Sequence, residues 1–277
     1  MALLNSNLAG SWLPTDYGQM VDLEVEAKSV AAQVSTVVAT DRETMAFPLW
    51  VSDPEVGFYA ENTEIALTDG ATDELIVVPR KAAGRTQISN EAVRDSNPAV
   101  AEQVGRTLAR QIAKSLDAAF FAASTTNGPD GLESTSFATV DSEGFVNLDP
   151  FHEAKSTALD LGAEVSHFVL ANDVALTLAT LKDASGSNRG LLENVADGTR
   201  IAGIPVIVSS DVPAGTVWAL DKSQIMYVRR TGTEVVTSGD AAFGFDALQV
   251  RATSRVGFGF VNPNGIVKIA VPDDTAS

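Results

Sequence analysis

The sequence contains no cysteine, which excludes disulfide bonds, thiolate metal sites and cysteine nucleophiles. Basic residues are scarce, because 19 lysines and arginines stand against 36 aspartates and glutamates and give a formal net charge of -17. Such a surface repels phosphate unless its cations are gathered on one face, which argues against sequence-specific DNA binding. Aromatic residues are only 6% of the chain, yet 45% of its 277 residues are hydrophobic, which indicates a folded globular protein.

The common motifs of catalysis and targeting are also missing. The first thirty residues lack the basic region and cleavage site of a signal peptide, and no apolar run approaches the roughly 20 residues that cross a bilayer. No phosphate-binding glycine loop and no nucleophile elbow occurs. His152 and His167 do not have the spacing of metal ligands. We therefore predict no catalytic, metal-binding or cofactor-binding residues, no cofactor and no membrane partner, and an α/β enzyme is kept only as an alternative.

The acidic residues are concentrated in two blocks. Residues 41–80 contain nine acidic and two basic residues, and residues 141–220 contain eleven acidic and four basic residues. The segments between and after these blocks are neutral to slightly basic. This uneven distribution predicts acidic projections around a less charged body, with surfaces that face different surroundings.

The N-terminal third predicts two projecting pieces. Residues 1–28 lack periodicity and read as an extended arm, whose apolar residues favour contact with another surface, although packing on its own domain is an equal alternative. Residues 43–90 alternate like strands around a polar, acidic centre and predict a long β-hairpin. Pro48 and Pro79 mark its strands as edge strands. A two-stranded ribbon is marginal alone, so a neighbouring subunit is expected to support it.

A long helix is predicted from Pro98 to Phe121. Asn97 is a suitable N-cap before Pro98, and apolar residues recur every four positions at Val100, Val104, Leu108, Ile112, Leu116 and Phe120. Three cations follow the same spacing, Arg106, Arg110 and Lys114. This basic stripe has two interpretations, an ordinary solvated helix face or a surface that moderates repulsion from nucleic acid.

The remainder of the chain mixes helices and strands. Helices are predicted over 149–161 and 172–181, and strands over 166–170 and 204–208. A loop of small and polar residues over 183–190 lies between them. After Pro213 the pattern predicts short strands, at 217–220, 224–228, 234–237, 248–254, 257–261 and 266–271.

The order of these parts resembles one family. The likeness rests on residues 81–96 leading into the long helix, then 127–132, 201–210, 221–223, 250–258 and 262–263. Together they resemble the major capsid proteins of tailed bacteriophages, which have the Hong Kong 97-type fold. The resemblance implies an α+β fold and a subunit that self-assembles as pentamers and hexamers into an icosahedral head shell around double-stranded DNA. It implies a virion component that is assembled in the bacterial host cytoplasm, and not an enzyme.

The resemblance also implies a division of the chain and a set of contact residues. The implied parts are an N-terminal arm (1–40), an extended β-hairpin loop (41–84), a peripheral domain with a long spine helix (85–135), an α/β axial domain (136–220) and peripheral return strands (221–277). The hairpin and arm of such subunits lie over neighbouring subunits, which implies inter-subunit roles for Trp50, Phe58, Tyr59, Glu61 and Glu64 and for Leu8, Trp12 and Leu13. The implied capsomer-axis loop contains Asn188, Arg189, Leu191 and Leu192.

Two departures from relatives change the expected partners. Some relatives join their subunits by a lysine-asparagine isopeptide bond, but residues 43–79 contain no lysine, so this cross-link is not expected. The chain starts at the arm, so scaffolding is expected from a separate protein or from a segment absent here. Portal and cement proteins are further expected partners, and packaged DNA is a non-specific one. An encapsulin-like nanocompartment shell protein, which would enclose cargo enzymes, and a decoration protein are the alternative functions.

Overall fold

The computed structural model describes residues 29–52, 56–65, 67–95, 99–182, 193–195 and 198–271. Its α-helices are α1 (Val30–Gln33), α2 (Asn90–Asp95), α3 (Ala99–Phe121), α4 (Asp149–Asp160) and α5 (Asn172–Thr180). Its strands are β1 (Thr36–Ala39), β2 (Met45–Ser52), β3 (Ala71–Val77), β4 (Arg80–Ser89), β5 (Ala138–Asp141), β6 (His167–Ala171), β7 (Glu193–Val195), β8 (Gly198–Ile201), β9 (Ile204–Ser209), β10 (Thr216–Leu220), β11 (Ile225–Ala242), β12 (Ala247–Phe260) and β13 (Val267–Ala270). This mixture is the α+β class that the sequence predicts.

The strands form two large sheets and a separate hairpin. One sheet has the order β1-β11-β12-β4, the other has the order β5-β13-β10-β6-β9-β8-β7, and β2 pairs with β3. The C-terminal segment, residues 221–277, supplies strands to both large sheets, because β13 pairs with β10 and β5 while β11 and β12 pair with each other. The domain boundaries given above remain a prediction.

Helix α3 covers one face of the four-stranded sheet. Its apolar stripe becomes fully buried towards the C-terminal end, at Ile112, Leu116 and Phe120. The ring of Phe120 lies edge-on to that of Phe258 on β12, with 5.1 Å between their centroids. Burying each such side chain stabilises the fold by about 2 kcal/mol. The predicted helix is confirmed from Ala99 to Phe121, and its predicted cap residues Asn97 and Pro98 lie outside the described residues.

The two longest strands correct the sequence prediction. Predicted strands at 224–228 and 234–237 are one strand, β11, and those at 248–254 and 257–261 are one strand, β12. The stretch around Gly232 does not end β11, because its pairing with β12 shifts register between Arg229 and Thr231 and again between Thr231 and Glu234. Such bulges insert residues while the strand stays paired.

Strand β4 crosses the predicted boundary at residue 84. It pairs with β12 along its whole length, from Arg80 opposite Val256 to Ser89 opposite Ala247. A Cβ on Gly84 would lie 3.2 Å from Cδ2 of Leu108, so the even-numbered residues of β4 face α3. Its odd-numbered residues lie on the opposite, exposed face of the sheet.

The seven-stranded sheet contains the second half of the core. The predicted elements at 149–161, 166–170, 172–181 and 204–208 are confirmed by α4, β6, α5 and β9. Strand β10 is central in this sheet, between β13 and β6, and it is buried at every residue. The rings of Phe151 on α4 and Phe168 on β6 meet edge to face, with 5.2 Å between centroids. Strands β5, β7 and β8 are short and were not predicted from the sequence.

The predicted hairpin is confirmed as β2 and β3, which pair from Met45 opposite Val77 to Ser52 opposite Ala71. Its base crosses β12 where two glycines leave room. A Cβ on Gly257 would lie 2.8 Å from Cγ1 of Val77, and a Cβ on Gly259 would lie 2.6 Å from Cγ2 of the same residue. Both glycines therefore allow the hairpin to approach the sheet closely at this end of β12.

Candidate interaction surfaces

The hairpin carries large apolar side chains that contact solvent. Trp50 is 70% exposed, Phe58 is fully exposed, and Tyr59 is exposed as well. Further exposed apolar side chains follow along the same segment, at Val56, Ile65, Leu67 and Ile76. Exposed apolar surface of this extent is typical of an interaction site, and a two-stranded sheet without cover is marginally stable in water. The hairpin can therefore bind a partner through apolar contact.

The same hairpin is strongly acidic. Glu61 and Glu64, both predicted contact residues, are exposed in the connection between β2 and β3. Asp69, Asp73 and Glu74 are exposed as well. The surface thus combines apolar side chains with carboxylates, and a partner surface that fits it would be partly apolar and partly basic.

A buried carboxylate anchors the N-terminal end of the described chain. The side chain of Asp117 on α3 accepts hydrogen bonds from the Ser29 hydroxyl at 2.6 Å, the Val30 N-H at 3.1 Å and the Ala31 N-H at 3.0 Å. Burial raises the pKa of Asp117, against the opposing effect of these hydrogen bonds. The segment that leads into β1 is therefore fixed to α3, and the predicted arm residues Leu8, Trp12 and Leu13 lie outside the described residues.

The predicted capsomer-axis loop falls between α5 and β7 in the sequence. Its residues Asn188, Arg189, Leu191 and Leu192 lie outside the described residues. The segment is followed by β7, which is the last strand in that sheet and pairs with β8. The role of these four residues remains a prediction.

The basic stripe of α3 lies on the exposed side of the helix. Arg106, Arg110 and Lys114 are all exposed, while Leu116 and Ile112 face the sheet and are buried. The structure brings the three cations together along about two turns of helix, as the spacing predicts.

A second basic surface was not predicted from the sequence. Arg85 stands directly opposite Arg251, and Lys81 stands directly opposite Arg255, on the exposed face of the four-stranded sheet. The members of each pair lie about 170 residues apart in the chain, a separation that only the strand register closes. The alternating pattern of residues 80–89 and 247–260 is enough to predict that each cation lies on the outward face of its strand. It does not predict which cations stand opposite each other, because that depends on the register between the two strands.

The described residues were also compared with the requirements of a histidine site, a metal site and a membrane-spanning helix. His152 is exposed on α4, and burial together with the charge of Lys222 lowers the pKa of His167, whose Nδ1 lies 2.9 Å from the Ser166 hydroxyl. The described residues contain no cluster of three or more acidic or histidine side chains that could hold a metal ion. No helix within the described ranges has the length and hydropathy needed to cross a bilayer.

Comparison with protein families gives one match over most of the chain. The model of the phage capsid family matches residues 9–271. None of the curated proteins matches the sequence. The family match includes both large sheets, the hairpin and α3.

Solved structures with a similar fold support the same comparison. The chain resembles a structure from Mycobacterium phage Bobi with a TM-score of 0.74, at 15% identity and with 89% of this chain and 91% of that chain covered. It resembles the capsid of an empty GTA particle, computed with C5 symmetry, with a TM-score of 0.74, at 19% identity and 88% and 90% coverage. A structure from Gordonia phage Cozz gives a TM-score of 0.73, 17% identity, and 89% and 87% coverage.

Proposed function

The chain belongs to the phage capsid family, and from this premise we propose that it assembles with copies of itself, as pentamers and hexamers, into the icosahedral shell of a phage head. Its fold is of the Hong Kong 97 type, as the sequence predicts. The family describes a structural component of a virion, and an encapsulin-like compartment is not favoured by these similarities. Double-stranded DNA is the proposed content of the shell.

The observation that carries the assembly proposal is the uncovered hairpin. Its apolar side chains, with Trp50 and Phe58 foremost, lose contact with water only if another surface covers them. A neighbouring copy provides that surface repeatedly in a closed shell, because every subunit both offers a hairpin and receives one. Trp50, Phe58, Tyr59, Glu61 and Glu64 are therefore proposed as contact residues between subunits.

Further roles follow from the same proposal. The arm residues Leu8, Trp12 and Leu13 are proposed to contact a neighbour, and Asn188, Arg189, Leu191 and Leu192 to meet around the capsomer axes. The proposed division remains 1–40, 41–84, 85–135, 136–220 and 221–277. Separate scaffolding, portal and cement proteins are proposed partners, with assembly in the host cytoplasm.

The direct test is to purify the full chain and image it by negative-stain electron microscopy. We expect capsomers or closed shells, and these particles boiled in SDS are expected to give a single band at 29.0 kDa. The single band is expected because the hairpin segment 43–79 contains no lysine to form an isopeptide bond. A monomer at every concentration would contradict the assembly, and a ladder of covalent multimers would contradict the absence of the cross-link.

The basic stripe of α3 is proposed to face the lumen and to moderate repulsion between the acidic shell and packaged DNA. Because these cations lie on the side of α3 away from the sheet core, they can meet phosphate without disturbing the fold. Replacing Arg106, Arg110 and Lys114 together by glutamine is expected to lower the amount of DNA that filled heads retain, with shell assembly preserved. DNA content per particle, measured by absorbance, checks this, and unchanged retention would contradict it.

A further inference from the structure

The exposed face of the four-stranded sheet carries two cross-strand pairs of like charge. One row consists of Arg85, Arg251 and Val236, and another of Lys81, Arg255 and Thr231. Side chains directly opposite each other in such a sheet lie about 5 Å apart at Cβ, and like charges at this distance repel. The four cations, called here the basic ladder, are Lys81, Arg85, Arg251 and Arg255.

The basic ladder has little compensation within the subunit. The row between the two pairs contains Ala83, Thr253 and Glu234, so a single carboxylate lies on this part of the face. No ion pair or side-chain hydrogen bond joins a ladder cation to any residue in the described part of the chain. A sheet in a protein of net charge -17 thus gathers cations where they destabilise the isolated subunit.

The position of the basic ladder links it to the hairpin. Gly257 and Gly259 continue the odd-numbered face of β12 beyond Arg255, and the hairpin base contacts them through Val77. The hairpin therefore leaves the body from the same face that displays the ladder, while α3 packs on the opposite face. The acidic side chains Glu61, Glu64 and Asp69 remain exposed, so the hairpin does not place them on its own ladder.

We propose that the basic ladder is the docking surface for the acidic outer part of the hairpin, Glu61, Glu64 and Asp69, of a second copy of this chain. This inference rests on the proposed function, because it names the partner surface that assembly requires. Docking relieves the repulsion between ladder cations and covers the hairpin in one contact. The ladder therefore gives the contact its register and makes assembly sensitive to salt.

Duplex DNA is a less suitable ligand for the basic ladder than the acidic hairpin of a second copy. The hairpin that leaves the sheet from this same face carries exposed carboxylates, and their negative charge opposes the approach of phosphates to this side of the subunit. The stripe on α3 lies on the other side of the domain. A shell subunit presents only one of these sides to its contents, and the two basic surfaces therefore serve different partners.

The test uses charge reversal in two full-length variants. The ladder variant carries Arg85→Glu with Arg251→Glu, and the hairpin variant carries Glu61→Lys, Glu64→Lys and Asp69→Lys. Each alone is expected to raise the protein concentration needed for half-assembly by about tenfold or more, because attraction becomes repulsion at several exposed pairs. Mixing the two variants is expected to restore assembly, since the hairpin of each fits the ladder of the other.

The controls separate docking from folding and from DNA binding. Lys155→Glu with Lys222→Glu makes the same change in net charge at two exposed lysines outside every surface proposed here, and this variant is expected to assemble like the wild type without DNA. Circular dichroism of each variant checks that it is folded, and sedimentation measures assembly. A chain that carries both the ladder and the hairpin reversals is expected to assemble. This result would exclude misfolding of the single variants as the cause of their weaker assembly.

The outcomes distinguish the two proposals. If the wild-type chain assembles and the ladder variant assembles equally well, or if mixing the two defective variants restores nothing, the docking is overturned while the shell function stands. Loss of duplex DNA binding by a ladder variant that still assembles would assign the ladder to the genome and overturn the docking too. If the wild-type chain forms no particle in any condition, the proposed function itself fails.

Discussion

Gly131→Ala is expected to destabilise the folded subunit strongly. Gly131 directly precedes the short helical turn at Leu132–Ser134, where the chain folds back over the end of α3. A Cβ at this position would lie 2.2 Å from the carbonyl oxygen of Ala119, 2.5 Å from that of Phe120 and 2.4 Å from that of Ala122. These oxygens belong to the backbone at the end of a helix, so they cannot move aside as a side chain would.

Relieving the overlap requires moving the chain at Leu132, which is completely buried. Overpacking in a core typically costs about 1–3 kcal/mol, and overlap with three backbone atoms is expected to cost more than about 3 kcal/mol. A domain has only about 5–15 kcal/mol of stability in total. Soluble yield and urea unfolding of the variant measure the effect.

Gly239→Ala is the matched control, because a Cβ at Gly239 would have no atom within 4 Å. We expect this variant to change the free energy of unfolding by less than about 1 kcal/mol. A Gly131→Ala subunit as stable as the Gly239→Ala subunit would refute the role assigned to the close approach at Gly131.

Asp117→Ala is expected to release the N-terminal segment from α3. The variant leaves three donors without their acceptor, the Ser29 hydroxyl and the N-H groups of Val30 and Ala31, in a region where Ser29 and Ala31 are completely buried. Each unsatisfied buried donor costs about 1–3 kcal/mol, so we expect a loss of about 3 kcal/mol or more, or detachment of the segment. Hydrogen exchange over residues 29–39 distinguishes local detachment from global destabilisation.

Asp117→Asn is the graded control, since it keeps one acceptor oxygen and removes the charge. Burial raises the pKa of Asp117 above its ordinary value of 3.8 in the folded protein, so the stability linked to this group is fully present below that value and is lost as the pH rises through the folded pKa. As the pH rises from about 3.8 through the raised pKa of Asp117, the free energy of unfolding of the wild type should therefore fall relative to that of Asp117→Asn. Identical exchange rates over 29–39 in wild type and Asp117→Ala would contradict the anchoring role.

Local patterns explain which elements could be predicted. Helix α3 follows from apolar residues at every fourth position, because neighbours three and four residues apart share one side of a helix. Helices α4 and α5 and strands β6 and β9 also coincide with local signals. The hairpin is marked by alternation on both sides of an acidic centre. Trp50, Phe58 and Tyr59 are exposed on it, and their contact with a neighbouring subunit stays a prediction.

The continuous strands β11 and β12 could not be predicted, because a bulge is stabilised by the partner strand and not by the residues at the bulge. Around Gly232 the local composition predicts a break, but pairing with β12 supplies hydrogen bonds on both sides of the shift. The predicted boundary at residue 84 divides β4 for a similar reason. The strand is defined by its pairing with β12, which lies more than 150 residues away in the sequence.

By itself the sequence determined the identity of the main elements, the acidic and apolar character of the hairpin, and the basic stripe of α3, because these depend on residues close together in the chain. Only the tertiary structure decided that Asp117 meets Ser29 across 88 residues, that Gly131 lies against the end of α3, and that Arg85 stands opposite Arg251. These contacts depend on strand register and on the packing of distant segments. Sequence spacing carries no information on either, since both are fixed by the sum of many weak contacts over the whole fold.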